Sequence, residues 1–239
     1  MNDQYHIALG EAITWINAHY RATGIIAGGS IIRGNQHPAS DLDIYVIHEE
    51  KYRQRIQKYF NRVPCEIFVN NLEQVYKYFN DEGKENRPVS AHIISTGKII
   101  QGGDNNNILQ LYKDADEYAG RSPVLTEEKS TFIKYRVTNL FEDATDIIAD
   151  KGTVQYILDK IIPDVIEYLF LRNQVPLPRV KERLKVLETI EQVTGKQVIQ
   201  YYRLNDVQLK YELVVSLLQH LFGATGFFEW TSEKEYAGE

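Results

Sequence analysis

Apolar positions along the first hundred residues alternate between two periods. Residues 5–21 carry Ile7, Ala8, Ala12, Trp15, Ile16 and His19 near a 3.6-residue spacing, which predicts a helix. "GIIAGG" reads as a short apolar strand ending in glycines, "DLDIYVI" as a second strand and "VPCEIFVNN" as a third. Between the last two, "EEKYRQRIQKYFNR" has Tyr52, Ile56, Tyr59 and Phe60 on one stripe and predicts a polar helix. "LEQVYKYFNDEG" predicts a further helix closed by Gly83, and "AHIISTGKIIQGG" a strand, a turn at Thr96-Gly97 and a strand. Together these describe a mixed α/β unit around a small sheet.

The pattern changes at "QGGDNNN". Beyond this loop the periodicity is helical, over 107–119, 127–150, 153–173, 178–195 and 206–222. Pro123 and Pro163 limit or kink these helices, and Pro176 and Pro178 mark a break before the fourth. The tail "GFFEWTSEKEYAGE" is aromatic and then polar, so it should pack in part and fray in part. The expected fold is an α+β domain over residues 1–104 followed by an all-α bundle over 105–239.

Composition narrows the function classes. The 239 residues are 43% hydrophobic and 25% charged, with a formal net charge of −6, as expected of a globular protein. The acidic balance and the missing basic tract disfavour nucleic-acid binding. Cys65 is the only cysteine, which excludes an internal disulfide or a cysteine-based zinc site and agrees with a reducing cytoplasm. The N-terminus lacks the pattern of a signal peptide, and no apolar run is long enough to span a membrane.

The chemistry concentrates in "GGSIIRGNQHPASDLDIYVI", residues 28–47. In a strand, Asp41, Asp43, Tyr45 and Ile47 share one face, while Leu42, Ile44 and Val46 form a core face. Two carboxylates ~6–7 Å apart repel by about 2–3 kcal/mol at an effective dielectric near 20, and a divalent cation between them reverses that sign. Glu66 occupies the polar side of "CEIFV". If the two strands are neighbours with the same face buried, Asp41, Asp43 and Glu66 cluster as hard oxygen donors suited to Mg²⁺ or Mn²⁺. Gly28, Gly29 and Ser30 end the preceding strand, where glycine backbone, free N–H groups and the Ser30 hydroxyl favour a phosphate. A phosphate cradle beside a carboxylate metal site suits a nucleoside triphosphate with bound magnesium.

Gly29-Ser30, ten residues, Asp41-Leu42-Asp43 and then Glu66 on a later strand resemble the signature of the nucleotidyltransferase superfamily typified by DNA polymerase β. "GKIIQGG" is similar to a hairpin that often closes that core, and the resemblance covers roughly residues 24–103. The helical half resembles, in style only, the C-terminal domain of small-molecule nucleotidyltransferases that modify aminoglycosides and related antibiotics. Ala27-Gly28 stands where the family often has an aromatic residue, which loosens the turn without touching the acids.

The resemblance implies transfer of a nucleotidyl group, most simply AMP from ATP. Asp41 and Asp43 would bridge two metal ions, and Glu66 would hold the hydroxyl-side ion or act as general base. Gly29 and Ser30 would grip the β- and γ-phosphates. Arg33 reaches phosphate or a surface ion pair, and Ser40 serves the nucleotide or a turn hydrogen bond. Lys181, with Lys185, is a candidate for the triphosphate or belongs to a wet helix face. Glu142 and Asp146 form either an acidic wall for a cationic acceptor or a solvated helix face. The implied partners are a nucleoside triphosphate and a small hydroxylated acceptor, with a homodimer left open. Two other readings are a protein-adenylylating enzyme of antitoxin type and a non-catalytic nucleotide-binding regulator.

Overall fold

The structure is a computed structural model that describes residues 3–37, 40–232 and 234. It divides into two compact units, residues 1–121 and 122–239.

The first unit is built on a five-stranded mixed sheet in the order β3-β4-β2-β1-β5. β1 is Gly24–Gly28, β2 Leu42–Ile47, β3 Gln54–Phe60, β4 Val63–Asn70 and β5 Lys98–Gln101. β2 and β4 run parallel, and the other pairs are antiparallel. The face expected to form a core does so. Leu42, Ile44 and Val46, with Cys65, Ile67 and Val69, pack on Ala8, Ala12 and Ile16 of α1 (Asp3–His19). Burial of Cys65 pushes its thiol up to about 12, so it stays protonated at neutral pH. The opposite face is also covered. Ile26, Tyr45 and Ile47 meet Val75 and Phe79 of α3 (Leu72–Lys84), Ile93 and Ile94 of α4 (Val89–Ser95), and Ile108 and Leu111 of α5 (Asn106–Ala119). A short α2 (Gly29–Arg33) follows β1 directly.

Two expectations in this unit are corrected. Residues 49–62 do not form a helix: 54–60 are the edge strand β3. Asn61 and Arg62 both take left-handed backbone conformations (φ 43° and 63°), which closes a tight hairpin onto β4. Ile56 and Phe60, the stripe that resembled a helix, instead pack toward the α1 side of the sheet. Residues 89–95 are the helix α4 and not a strand. The place beside β1 is taken by β5, and α4 crosses β1 so closely that a Cβ on Gly28 would lie 2.7 Å from the Ile93 carbonyl oxygen.

The second unit is helical: α6 (Glu127–Asp146), α7 (Lys151–Arg172), α8 (Val180–Ile190), α9 (Thr194–Arg203) and α10 (Val207–Phe222). Its core gathers around α7, with Leu158, Ile162 and Leu169 fully buried among Phe141, Leu187, Tyr201 and Leu218. α7 continues through Pro163. The helix expected over 178–195 stops at Ile190, and α9 is an additional element. A Cβ on Gly195 would sit 2.8 Å from the Leu187 carbonyl oxygen, so the glycine lets α9 turn back onto α8. α5, assigned from sequence to the helical half, lies in the first unit. In the tail, the Trp230 ring lies 5.3 Å from Tyr135. Residues 233 and 235–239, where fraying was expected, lie outside the described residues. Among the described residues no helix is long and apolar enough to cross a membrane.

Gly97 tests how tightly the α4–β5 turn is packed. A Cβ there would lie 2.8 Å from the Ala27 carbonyl oxygen and 2.9 Å from that of Ile93. Gly97→Ala should therefore destabilise the first unit by about 1–3 kcal/mol. In a Trp230→Phe background, which leaves Trp15 as the sole tryptophan, this should appear as a lower urea midpoint in fluorescence.

Candidate active site

Asp43 sits on a strand buried on both faces, and is itself only 7% exposed. The parallel register sets it directly beside Glu66 of β4. Asp41 precedes β2 and is exposed at its mouth. Each of the three offers a carboxylate oxygen, and these oxygens lie within 4.8 Å of one another. The cluster anticipated from the strand pattern is therefore present.

Such crowding is unfavourable without positive charge. Part of the compensation comes from β3. The Arg55 guanidinium donates to Glu66 Oε1 through Nε (3.0 Å) and Nη2 (2.7 Å), and the Gln57 amide donates to the same oxygen at 2.9 Å. Among the described residues Glu66 Oε2 accepts no hydrogen bond. Gln57, Glu66 and Asp43 thus form one continuous row across β3, β4 and β2. Arg55 and Gln57 were missed in the sequence because the helix reading of 49–62 scattered them. As a strand, their i,i+2 spacing puts both on one face.

The donor set fits a hard divalent cation. It consists of three carboxylates converging on one point, and the backbone beside it is shaped to leave room. Gly29 has φ +84°, and a Cβ there would overlap the Asp43 carboxylate. The glycine of the Gly-Ser pair is therefore required twice, for its left-handed backbone and for close approach to Asp43.

The remaining sequence candidates are placed as follows. The Ser30 hydroxyl donates to Ser40 Oγ at 2.9 Å, and Ser40 Oγ also accepts the His37 N–H at 2.8 Å. These contacts tie Ser40 to Ser30 of α2 and to the His37 backbone. Arg33 donates to Thr96 Oγ1 at 3.2 Å, tying α2 to the end of α4. Lys181 is exposed on α8 in the second unit. Glu142 and Asp146 are both exposed on α6.

Gly29→Ala should disturb the acidic cluster without removing a ligand. We expect Mn²⁺ affinity, read by paramagnetic resonance titration, to fall about tenfold or more. The metal-free circular dichroism spectrum should remain unchanged.

Comparison with known proteins agrees with this geometry. Residues 15–113 match the family model of the nucleotidyltransferase domain. No curated protein matches the chain. A nucleotidyltransferase-like protein from Exiguobacterium sibiricum 255-15 is similar in fold, with TM-score 0.53 and 14% identity over 90% of this chain and 73% of that one. With the Gly-Ser turn, the paired acidic strands and the family match coinciding in one unit, residues 15–113 carry a nucleotidyltransferase domain.

Proposed function

We propose that this chain transfers a nucleoside monophosphate, most simply AMP from ATP, to a hydroxyl of a small molecule. The observation that carries the reading is the convergence of Asp41, Asp43 and Glu66 from adjoining segments of the sheet. The acceptor oxygen forms a bond to the α-phosphorus, the bond from that phosphorus to the bridging oxygen breaks, and pyrophosphate leaves. A divalent cation held by Asp41, Asp43 and Glu66 would supply Lewis-acid activation of the hydroxyl and neutralise charge on the leaving group.

The chain's own residues would divide the work. Asp41 and Asp43 hold the cation site. Glu66, kept in place by Arg55 and Gln57, holds its acceptor side or takes the hydroxyl proton. Gly29 and Ser30 meet the β- and γ-phosphates, and Gly29 also admits the Asp43 carboxylate. Arg33, Ser40 and Lys181 are assigned to nucleotide binding, Ser40 through its bond to Ser30. The first unit is the catalytic part and the helical unit supplies substrate binding. Aminoglycoside-like compounds are one acceptor class implied by the antibiotic-modifying proteins that the helical half resembles.

The test is incubation with Mg²⁺, labelled nucleoside triphosphates and a panel of hydroxylated acceptors or cell extract. A labelled small molecule is the expected product. A labelled protein band would replace this reading with protein adenylylation, and nucleotide binding without transfer would replace it with a regulator. Loss of a group that merely supports a metal ligand costs 10–100-fold, so Asp43→Asn, which removes a ligand, should lower transfer by more than about 100-fold. Its fold, followed by circular dichroism, should be retained.

A further inference from the structure

β4 presents Glu66, Phe68 and Asn70 in succession on the face that carries the acids. Beyond Glu66 this face opens into a cavity of about 440 Å³ bounded by the sheet and α3, a size suited to a small ligand. Its walls are fixed. The Phe68 ring is flanked by Tyr45, stacked at 4.8 Å, and by the Arg55 guanidinium at 5.0 Å. The Tyr45 hydroxyl donates to Ser90 (2.8 Å), whose own hydroxyl donates to Glu82 (2.7 Å). Arg53 donates to the Tyr78 hydroxyl at 3.1 Å.

One group in this wall has no protein partner for its side chain among the described residues. Asn70 lines the cavity and is only 2% exposed, yet its carboxamide makes no hydrogen bond among the described residues. Its amide atoms are not among the fully enclosed unpaired ones and so keep contact with the cavity's solvent, where a ligand can take the place of water. A carboxamide offers a donor and an acceptor side by side, which matches a ring bearing N–H and C=O on adjacent atoms.

The position of the cavity assigns its role. The Gly29-Ser30 turn follows β1, whereas the cavity is lined from β3, β4 and Tyr45 of β2 and by no residue of β1 or α2. It is therefore on the acceptor side and away from the phosphate turn. Two residues of strand advance about 7 Å, so Phe68 and Asn70 stand about 7 and 13 Å from Glu66. A ring held there can place a hydroxyl several bonds away beside Glu66. Of the charged residues in the lining, Arg55 is paired with Glu66 and Arg53 offsets Glu82, which leaves the cavity no net negative charge to attract a polycation.

The geometry points to an acceptor-recognition subsite formed by Asn70, Phe68 and Tyr78, which takes a hydroxylated molecule with a flat lactam edge of the kind carried by uracil or a simple cyclic amide. This inference rests on the transfer reading and names the acceptor class for the same site.

The test is metal-free binding, by calorimetry and ligand-observed NMR, of uridine, 4-hydroxy-2-pyrrolidinone and the polycation kanamycin, with Mg²⁺–ATP binding measured separately. Uridine alone binding identifies a nucleobase pocket, and both ring compounds binding a general lactam pocket; either supports the subsite. Asn70→Ala should weaken ring binding about tenfold and leave ATP binding unchanged, with Tyr78→Ala as a second variant outside the sheet. The inference is overturned if neither ring compound binds at millimolar concentration, if kanamycin binds in their place, or if both variants bind like the parent. Equal weakening of ATP in Asn70→Ala would overturn the acceptor assignment. Asp43→Asn should still bind the ring compounds. Unimpaired transfer in that variant would sink the catalytic reading while leaving the pocket result standing.

Discussion

The site depends on like-charge repulsion between carboxylates that the backbone holds together. Parallel pairing of β2 and β4 makes Asp43 and Glu66 direct neighbours, and Asp41 enters from the segment just before β2. For Asp43 and Glu66 no surface loop imposes this. β2 is the central strand, covered on both faces, so its register cannot slip without turning Leu42, Ile44 and Val46 out of the core. The hydrophobic pattern therefore enforces an arrangement that is unfavourable for the charges alone.

The surroundings of the acids reflect that tension. Arg55 and Gln57 concentrate three hydrogen bonds on one oxygen of Glu66, which fixes its carboxylate and leaves the other oxygen without a hydrogen bond among the described residues. Gly29 withdraws the one side-chain atom that would collide with Asp43. The Ser30–Ser40–His37 contacts then tie the Gly-Ser turn to the residue just before the acids. Each contact positions a group already required by the cluster, and together they account for the short spacing between the Gly-Ser turn and the Asp-x-Asp strand.

Much of this was legible in the sequence, because strand alternation is a strict code. Asp41 and Asp43 had to share a face, and Glu66 had to oppose Cys65, Ile67 and Val69. Edge strands are less legible. β3 buries little besides Phe60, so its polar and apolar residues follow no clean period of two, and Tyr52, Ile56, Tyr59 and Phe60 imitate a helical stripe. Its turn at Asn61-Arg62 lacks the glycine that would mark a hairpin. That one error hid Arg55, Gln57 and the cavity they border. α4 was misread for a related reason: Ile93 and Ile94 favour a strand locally, but tertiary packing over Gly28 decides for a helix. α9 was missed because a chain reversal permitted by Gly195 depends on the backbone of another helix, which sequence spacing does not reveal.

The charge arithmetic of the cluster limits how it is filled. Three carboxylates and the Arg55 guanidinium carry a formal charge of −3 + 1 = −2, which one divalent cation neutralises. A second cation entering alone would meet no surplus negative charge from this set. A nucleoside triphosphate supplies that surplus through its phosphates, so the two-cation arrangement implied by the family resemblance has to be assembled with the nucleotide. Arg55 then does more than orient Glu66. By offsetting one of the three negative charges it lessens the repulsion that the fold must withstand.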